Sequence, residues 1–266
     1  MQNMDFKWII LIGIILLCWS LFVEPNLITI KKYSVPNKEL TGLHVVFISD
    51  LHIKKNAAVR VRRIVELVNA QNPDIVLGGG DYANGHSVKS ALDFEVLGNE
   101  LSKIEATYGF YTVLGNHDWW TDGESMRKSF EKVGICVLEN SSASVNIGNG
   151  KYLYITGLGD RDTRDVNLKA ALKNTVSPRI LLTHHPDVFY DVKENVDLIL
   201  AGHTHGGQVV IPLIGPILIP TSYPQKFAQG LVEENGNRII VTKGLGTSIL
   251  PIRFNCKPEI VVIDFI

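Results

Sequence analysis

HVVFISDLH (residues 44–52) runs from an apolar stretch straight into a polar cluster, and the same junction recurs four times. The other four are DIVLGGGD (74–81), FYTVLGNHD (110–118), RILLTHH (179–185) and DLILAGHTH (197–205). Short runs rich in Val, Ile, Leu and Phe, bounded by turn residues, read as buried strands. Helical patterns lie between them. VRVRRIVELVNAQN (59–72) puts Val61, Ile64, Val65 and Val68 on one face, and LDFEVLGNELSKIEA (92–106) and GESMRKSFEKV (123–133) repeat the pattern. Strands alternating with helices predict an α/β domain. In open α/β sheets, ligands bind beyond the carboxyl ends of the strands. All five polar clusters fall at that end, so one shared site is expected.

Further strands are expected at YLYITGLGD (152–160), QVVIP (208–212), GLVEE (230–234), RIIVT (238–242) and PEIVVIDFI (258–266). Asn235-Gly236 is a hairpin turn signal. These strands predict a second sheet packed on the first. IPLIGPILIP (211–220) is uncharged and reads as a buried strand–turn–strand, with a lipid-facing surface as the other reading.

The chain has 266 residues, with 26 Lys and Arg against 27 Asp and Glu, a net charge of −1. That balance argues against a broad basic face, so no nucleic-acid partner is expected. Apolar residues reach 45%, which excludes disorder as the dominant state. Cys18, Cys136 and Cys256 are too scattered for a disulfide framework or a thiolate metal site.

The mean hydropathy of +0.13 is high for a soluble enzyme. WIILIGIILLCWSLFV (8–23), with no charged residue, supplies the excess. As a helix it spans about 24 Å, short of a hydrocarbon core of about 30 Å. It reads as a membrane anchor over residues 1–23, followed by a tether (24–41) and a globular domain (42–266). A cleaved signal peptide and a buried helix are the competing readings. Lys31, Lys32 and Lys38 follow the segment, against Lys7 and the terminal amine before it, so the positive-inside rule favours a cytoplasmic globular domain.

The cluster side chains are Asp50, His52, Asp81, Asn116, His117, Asp118, His184, His203 and His205. Imidazoles, carboxylates and an amide oxygen suit manganese, iron or zinc. Residues i and i+2 of an extended strand point the same way, so Asp50/His52 and His203/His205 are expected ligand pairs. Asp81 is the single carboxylate of its cluster and is expected to bridge two ions. Each cluster alone is weak; their joint occurrence at strand ends carries the reading. Trp119 and Trp120 are read as substrate or membrane contacts or as core. His86 is expected in solvent.

The ordered set Asp50-Leu51-His52, Gly80-Asp81, Gly115-Asn116-His117-Asp118, His184 and Gly202-His203-Thr204-His205 resembles the calcineurin-like metallophosphoesterases. That family's pattern is D-x-H, G-D, G-N-H-D/E, H and G-H-x-H. The tail, from AGHTHGGQ to KGLGTSILPIRFNCKPEIVVI, is similar to the membrane-associated subgroup that includes UDP-2,3-diacylglucosamine pyrophosphatase-like enzymes. The resemblance implies a four-layer α/β/β/α sandwich, here preceded by one N-terminal transmembrane helix. It implies two divalent ions, manganese being expected and iron or zinc the alternatives. One would be held by Asp50, His52, Asp81 and His205, the other by Asp81, Asn116, His184 and His203. His117 would protonate the leaving oxygen or bind phosphate, and Asp118 would orient His117. His185 would line the site or cap the turn at Pro186.

The implied reaction is hydrolysis of a phosphoester or pyrophosphate bond. The anchor makes a phosphorylated lipid or nucleotide-sugar lipid, such as UDP-2,3-diacylglucosamine, the expected substrate at the membrane. A general phosphodiesterase acting on nucleotides or phosphoproteins, and a non-catalytic metal-binding scaffold, are the alternatives.

Overall fold

The computed structural model describes residues 6–223 and 225–266. The first five residues of the expected anchor lie outside them. Helix α1 (Phe6–Cys18) continues through a π-turn (Trp19–Val23) and a 3-10 turn (Glu24–Asn26) into strand β1 (Thr29–Val35). Then follow β2 (His44–Ile48), α2 (Ala58–Asn69), β3 (Ile75–Gly78), α3 (Phe94–Leu101), β4 (Phe110–Thr112), α4 (Asn116–Lys132) and β5 (Cys136–Val137). The second half holds β6 (Ser141–Asn146), β7 (Tyr152–Gly157), α5 (Leu168–Ala171), β8 (Arg179–Thr183) and β9 (Leu198–Ala201). Two hairpins, β10 (Val210–Ile211) with β11 (Gly215–Pro216) and β12 (Gly230–Glu234) with β13 (Asn237–Val241), precede β14 (Glu259–Phe265).

Two six-stranded mixed sheets result, in the orders β1-β14-β2-β3-β4-β5 and β12-β13-β9-β8-β7-β6. Strand alternation divides the core. Val45 and Phe47 of β2 face the other sheet and meet Ile155, Leu182 and Leu200. Val46 and Ile48 face the opposite way, onto the helices, with Val61, Ile64, Leu97 and Phe130. The outer face of the second sheet is covered by Ala171 of α5, Leu172 at its C-cap, and Val188 and Phe189 of the 3-10 turn at Pro186–Tyr190. The layers are therefore helix, sheet, sheet and a thin fourth layer of short helical turns.

The segment expected as a tether, 24–41, is not a linker. Thr29–Val35 pairs in parallel with Glu259–Phe265, adding an edge strand to the first sheet. The end of the apolar helix is also fixed to the domain. Buried Glu24 accepts hydrogen bonds from Trp19 Nε1 (2.8 Å) and the Cys256 amide (2.5 Å), and the Arg253 amide donates to the Ser20 carbonyl (3.0 Å). The helical stretch Lys7–Asn26 has 20 residues and is long and apolar enough to cross a membrane. At 1.5 Å per residue it covers about 30 Å, because the helix runs on past Val23.

Buried Arg253 holds the loop beneath the site. Its guanidinium donates to the carbonyls of Gly246 (2.6 Å), Lys243 (2.7 Å), Gly244 (3.2 Å) and Cys256 (3.0 Å). The Gly246 amide in turn donates to the Asp50 carbonyl (2.5 Å). Each buried carbonyl left without a donor costs about 1–3 kcal/mol. Arg253→Met is therefore expected to lower the thermal unfolding midpoint of the detergent-solubilised protein sharply, while Arg62→Met at an exposed ion pair leaves it within a degree or two.

Candidate metal centre

Asp50, His52, Asp81, His203 and His205 all take left-handed backbone, with φ between 44° and 71°. Such φ values are uncommon outside glycine and cluster where surrounding structure holds a functional geometry. This corrects the expectation of extended i, i+2 pairs. The pairs do converge, but through tight turns. Backbone bonds fix those turns: the Asp50 amide donates to the Gly80 carbonyl (2.9 Å) and the His52 amide to the Asp81 carbonyl (3.0 Å). The two clusters thus support each other's turns across neighbouring strands.

Two donor groups form around one shared carboxylate. Asp81 Oδ2 lies 3.4 Å from His52 Nε2 and 3.3 Å from His184 Nε2. On one side, Asp50, His52 and His205 bring ligand atoms within 4.8 Å of one another, with His52 and His205 Nε2 atoms 3.0 Å apart. On the other, His203 Nδ1 sits 3.1 Å from His184 Nε2. Asn116 Oδ1 is buried without a hydrogen-bond partner among the described residues. Donors bound to one cation at about 2.1 Å and at right angles lie about 3.0 Å apart. The spacing and the orphaned amide oxygen fit a pair of divalent cations.

The electrostatics agree. Burial lowers the His52 imidazole to about 3 and holds His203 and His205 well below their ordinary value, so these rings are neutral, the form that ligates. Burial pushes the Asp50 carboxyl up to about 6. Burial acts against the charged forms of Asp81 and His184 too, but their mutual attraction outweighs it. Asp81 stays ionised far below the usual carboxylate range, and His184 is held well above its own. The Asp81 carboxylate therefore demands a positive partner. His184 is aimed at it because its Nδ1 donates to the Gly79 carbonyl (2.7 Å).

Gly115 lets this packing close. A Cβ there would come within 2.8 Å of the His184 ring. Gly115→Ala is expected to displace His184 and reduce metal content by at least about 10-fold, the scale of disturbed ligand support. Metal analysis of the purified variant checks this; unchanged content would remove the role given to that close approach.

The structure corrects the expected role of Asp118. Its carboxylate does not reach the His117 ring; it accepts from the amides of Asp81 (2.8 Å), Ala83 (2.8 Å) and Gly115 (3.0 Å). It braces the strand-end turns. His117 is oriented instead by its Nδ1 contact with the Gly85 carbonyl (3.0 Å) and the bond from its own amide to Asp81 Oδ1 (2.9 Å). Its Nε2 lies 3.3 Å from Ser248 Oγ. Ser248 was not marked by any motif in the sequence; only the fold brings it across. His185 caps the 3-10 turn, its Nδ1 accepting from the Asp187 amide (3.3 Å), and its ring lies 4.3 Å from that of His203.

Above the donors opens a cavity of about 620 Å³. His117 and His203 line it together with the apolar side chains of Ile217, Leu218, Leu250 and Ile252. Trp120 and His86 stack at 4.7 Å on its rim. The two tryptophans therefore divide: Trp120 faces the cavity, whereas Trp119 packs on the core with the Arg164 guanidinium 4.3 Å above its ring.

A family model described as calcineurin-like phosphoesterase matches residues 43–207. The chain is 29% identical over 255 residues to the uncharacterized metallophosphoesterase YkuE of Bacillus subtilis, covering 92% of this chain and 87% of that protein. It is 27% identical over 253 residues to phosphodiesterase YaeI of Escherichia coli, covering 93% and 89%. It is also 29% identical over 240 residues to a transmembrane protein with metallophosphoesterase domain from Danio rerio, covering 84% and 53%. The stretch matched by the family model runs from the first strand of the motif series past its last histidine. This chain belongs to the calcineurin-like phosphoesterases, hydrolases of phosphoester bonds.

Proposed function

We propose that the protein is a membrane-held dimetal hydrolase that cleaves a phosphodiester or pyrophosphate bond in a lipid-linked substrate, of which UDP-2,3-diacylglucosamine is the model. The observation that carries the lipid reading is the cavity. Histidines line it, while Ile217, Leu218, Leu250 and Ile252 give it an apolar wall. An acyl substituent would pack against such a wall while the histidines hold the phosphate.

Asp50, His52, Asp81 and His205 would hold one cation, and Asp81, Asn116, His184 and His203 the other. Manganese is proposed, with iron or zinc compatible with the same donors. Bound there, two cations activate water and neutralise charge on the phosphoryl oxygens. The chain's own contribution is the proton. A carbonyl can only accept, so His117 Nδ1 carries the hydrogen donated to Gly85, and Nε2 is the nitrogen free to exchange one. His117 lines the cavity, and Nε2, 3.3 Å from Ser248 Oγ, would protonate the departing oxygen there.

Lys7–Asn26 is proposed as an uncleaved anchor, and Lys31 and Lys32 at its exit favour a cytoplasmic domain. Proteolysis of intact cells from outside is expected to leave the domain whole; its cleavage would reverse the placement.

A manganese-supplemented panel tests the substrate. UDP-2,3-diacylglucosamine is expected to be cleaved with a higher kcat/KM than bis-p-nitrophenyl phosphate or a nucleotide. Preference for the soluble esters would favour the second reading, a general phosphodiesterase, which the YaeI likeness supports. A metal-loaded protein inert to all of them would favour the scaffold.

A further inference from the structure

We infer that the β10–β11 hairpin tip, Leu213 and Ile214, and the neighbouring loop tip at Ile249 form a second membrane contact, seated in the lipid interface beside the N-terminal span. This rests on the reading of Lys7–Asn26 as an anchor.

The first observation is exposure. Leu213 is 108% exposed and Ile249 89%, with Ile214, Ile217, Leu218 and Leu250 also open. No charged residue occurs in 206–225 or in 244–252. Apolar patches of this kind on a folded domain mark an interaction surface. The strand–turn–strand expected to be buried at 211–220 is thus a short hairpin with its apolar tip outward.

The second observation is turn chemistry. Leu213 and Ile249 both sit in left-handed backbone, φ 69° and 61°. Outside the metal-centre turns and Gln208, the other non-glycine residues in that conformation among the described residues are all Asn: Asn72, Asn140, Asn149, Asn174, Asn235 and Asn255. Asn suits that conformation and suits water. Bulky apolar residues in the same conformation carry backbone strain and an exposed side chain at once. Both costs are offset where the tip enters lipid.

The third observation is position, which selects the bilayer over any other occupant. Pro212, next to the hairpin tip, lines one cleft together with Trp19 and Glu24 from the end of the span. Gln208, at the base of the hairpin, bonds Ser248 twice: its Nε2 donates to the Ser248 carbonyl (2.9 Å) and its Oε1 accepts from the Ser248 amide (2.8 Å). Arg253, four residues past Ile249, donates its amide to Ser20 of the span. Both tips are therefore tied to the point where the chain leaves the bilayer. Lys243 and Lys257 line the same cleft, at the level where cationic side chains meet lipid phosphates. Ile217, Leu218 and Leu250 are exposed and also line the cavity, so the patch is continuous with the apolar wall leading to His117.

The test places nitroxide labels on the full chain in phosphatidylethanolamine–phosphatidylglycerol nanodiscs. Leu213→Cys, Ile249→Cys and the water-exposed control Val176→Cys are made in a Cys18→Ser/Cys136→Ser background, and a separate Cys136→Ser chain that keeps native Cys18 is the reference for the span. Labels at 213 and 249 are expected about 5–10 Å below the phosphates, shielded from a water-soluble nickel relaxer. Leu213→Asp/Ile214→Asp is expected to return the 249 label to nickel access, with bis-p-nitrophenyl phosphate hydrolysis unchanged. Nickel access at 213 and 249 equal to that at 176, with Cys18 embedded, would overturn the second contact and leave the anchor. A Cys18 label in water would overturn both. Shielding that disappears in discs holding one chain would overturn the lipid occupant in favour of a second copy. No arm uses a lipid substrate, so the substrate reading fails or stands separately.

Discussion

Asp81→Asn is expected to empty both metal positions together and to reduce hydrolysis of bis-p-nitrophenyl phosphate by more than about 100-fold. The argument is geometric. Asp81 Oδ2 is the one oxygen that faces both His52 Nε2 (3.4 Å) and His184 Nε2 (3.3 Å), one from each donor group. Asn keeps the side-chain shape and tolerates the left-handed φ of 57°, so the turn survives. Alanine would mix this loss with backbone strain, since it has no polar side chain to satisfy the turn. The substitution also preserves an oxygen for the His117 amide, which bonds Asp81 Oδ1 at 2.9 Å. What disappears is the negative charge that two cations share. Metal content per chain and turnover are to be read on the same preparation, with the thermal midpoint as the folding control. Retention of one metal with the other lost would assign Asp81 to a single ion; retention of both with full activity would end the shared-carboxylate reading.

The clustering of the candidate donors was legible because each motif follows a buried apolar run, and RILLT at 179–183 coincides with the strand it predicts. Their geometry was not. Extended i, i+2 logic expects Asp50/His52 and His203/His205 to converge, and they do so by another route, since φ at Asp50 and His52 is positive and the turn depends on Gly80 and Asp81, some thirty positions on. Local sequence carries no direct record of such a partner. The same limit explains the tether. TIKKYSV has exposed lysines at its centre and looks like a linker; its partner strand is at the opposite end of the chain, with Thr29 bonded to Pro258. Asp118 was misassigned for a different reason. It adjoins His117 in sequence, but neighbours on a helix do not face each other. At the third position of α4 its carboxylate turns back to the Gly115 amide, as helix-start carboxylates do. Arg253 had no local signal at all: its isolated positive charge reads as surface, and only the carbonyls it gathers account for its burial.

His117→Ala is expected to separate metal binding from turnover. His117 lies within ligand reach of His52 and Asp81, its ring 4.7 Å from that of His52, but it is held by Gly85 and Ser248, and both proposed donor groups are complete without it. The variant should therefore retain both metals. Loss of a positioned proton donor costs about 10²–10⁴-fold in rate. That cost depends on the leaving group. p-Nitrophenolate departs with little help, so bis-p-nitrophenyl phosphate should lose least; an ester with an alkyl alcohol leaving group should lose most. A phosphate-binding role for the same ring predicts another pattern, a raised KM and a loss that is uniform across leaving groups. The slope of log kcat against leaving-group pKa, steeper in His117→Ala than in the parent, is the result that marks the proton donor. An unchanged slope with a raised KM would move His117 to substrate binding, and loss of a metal would make it part of the donor set.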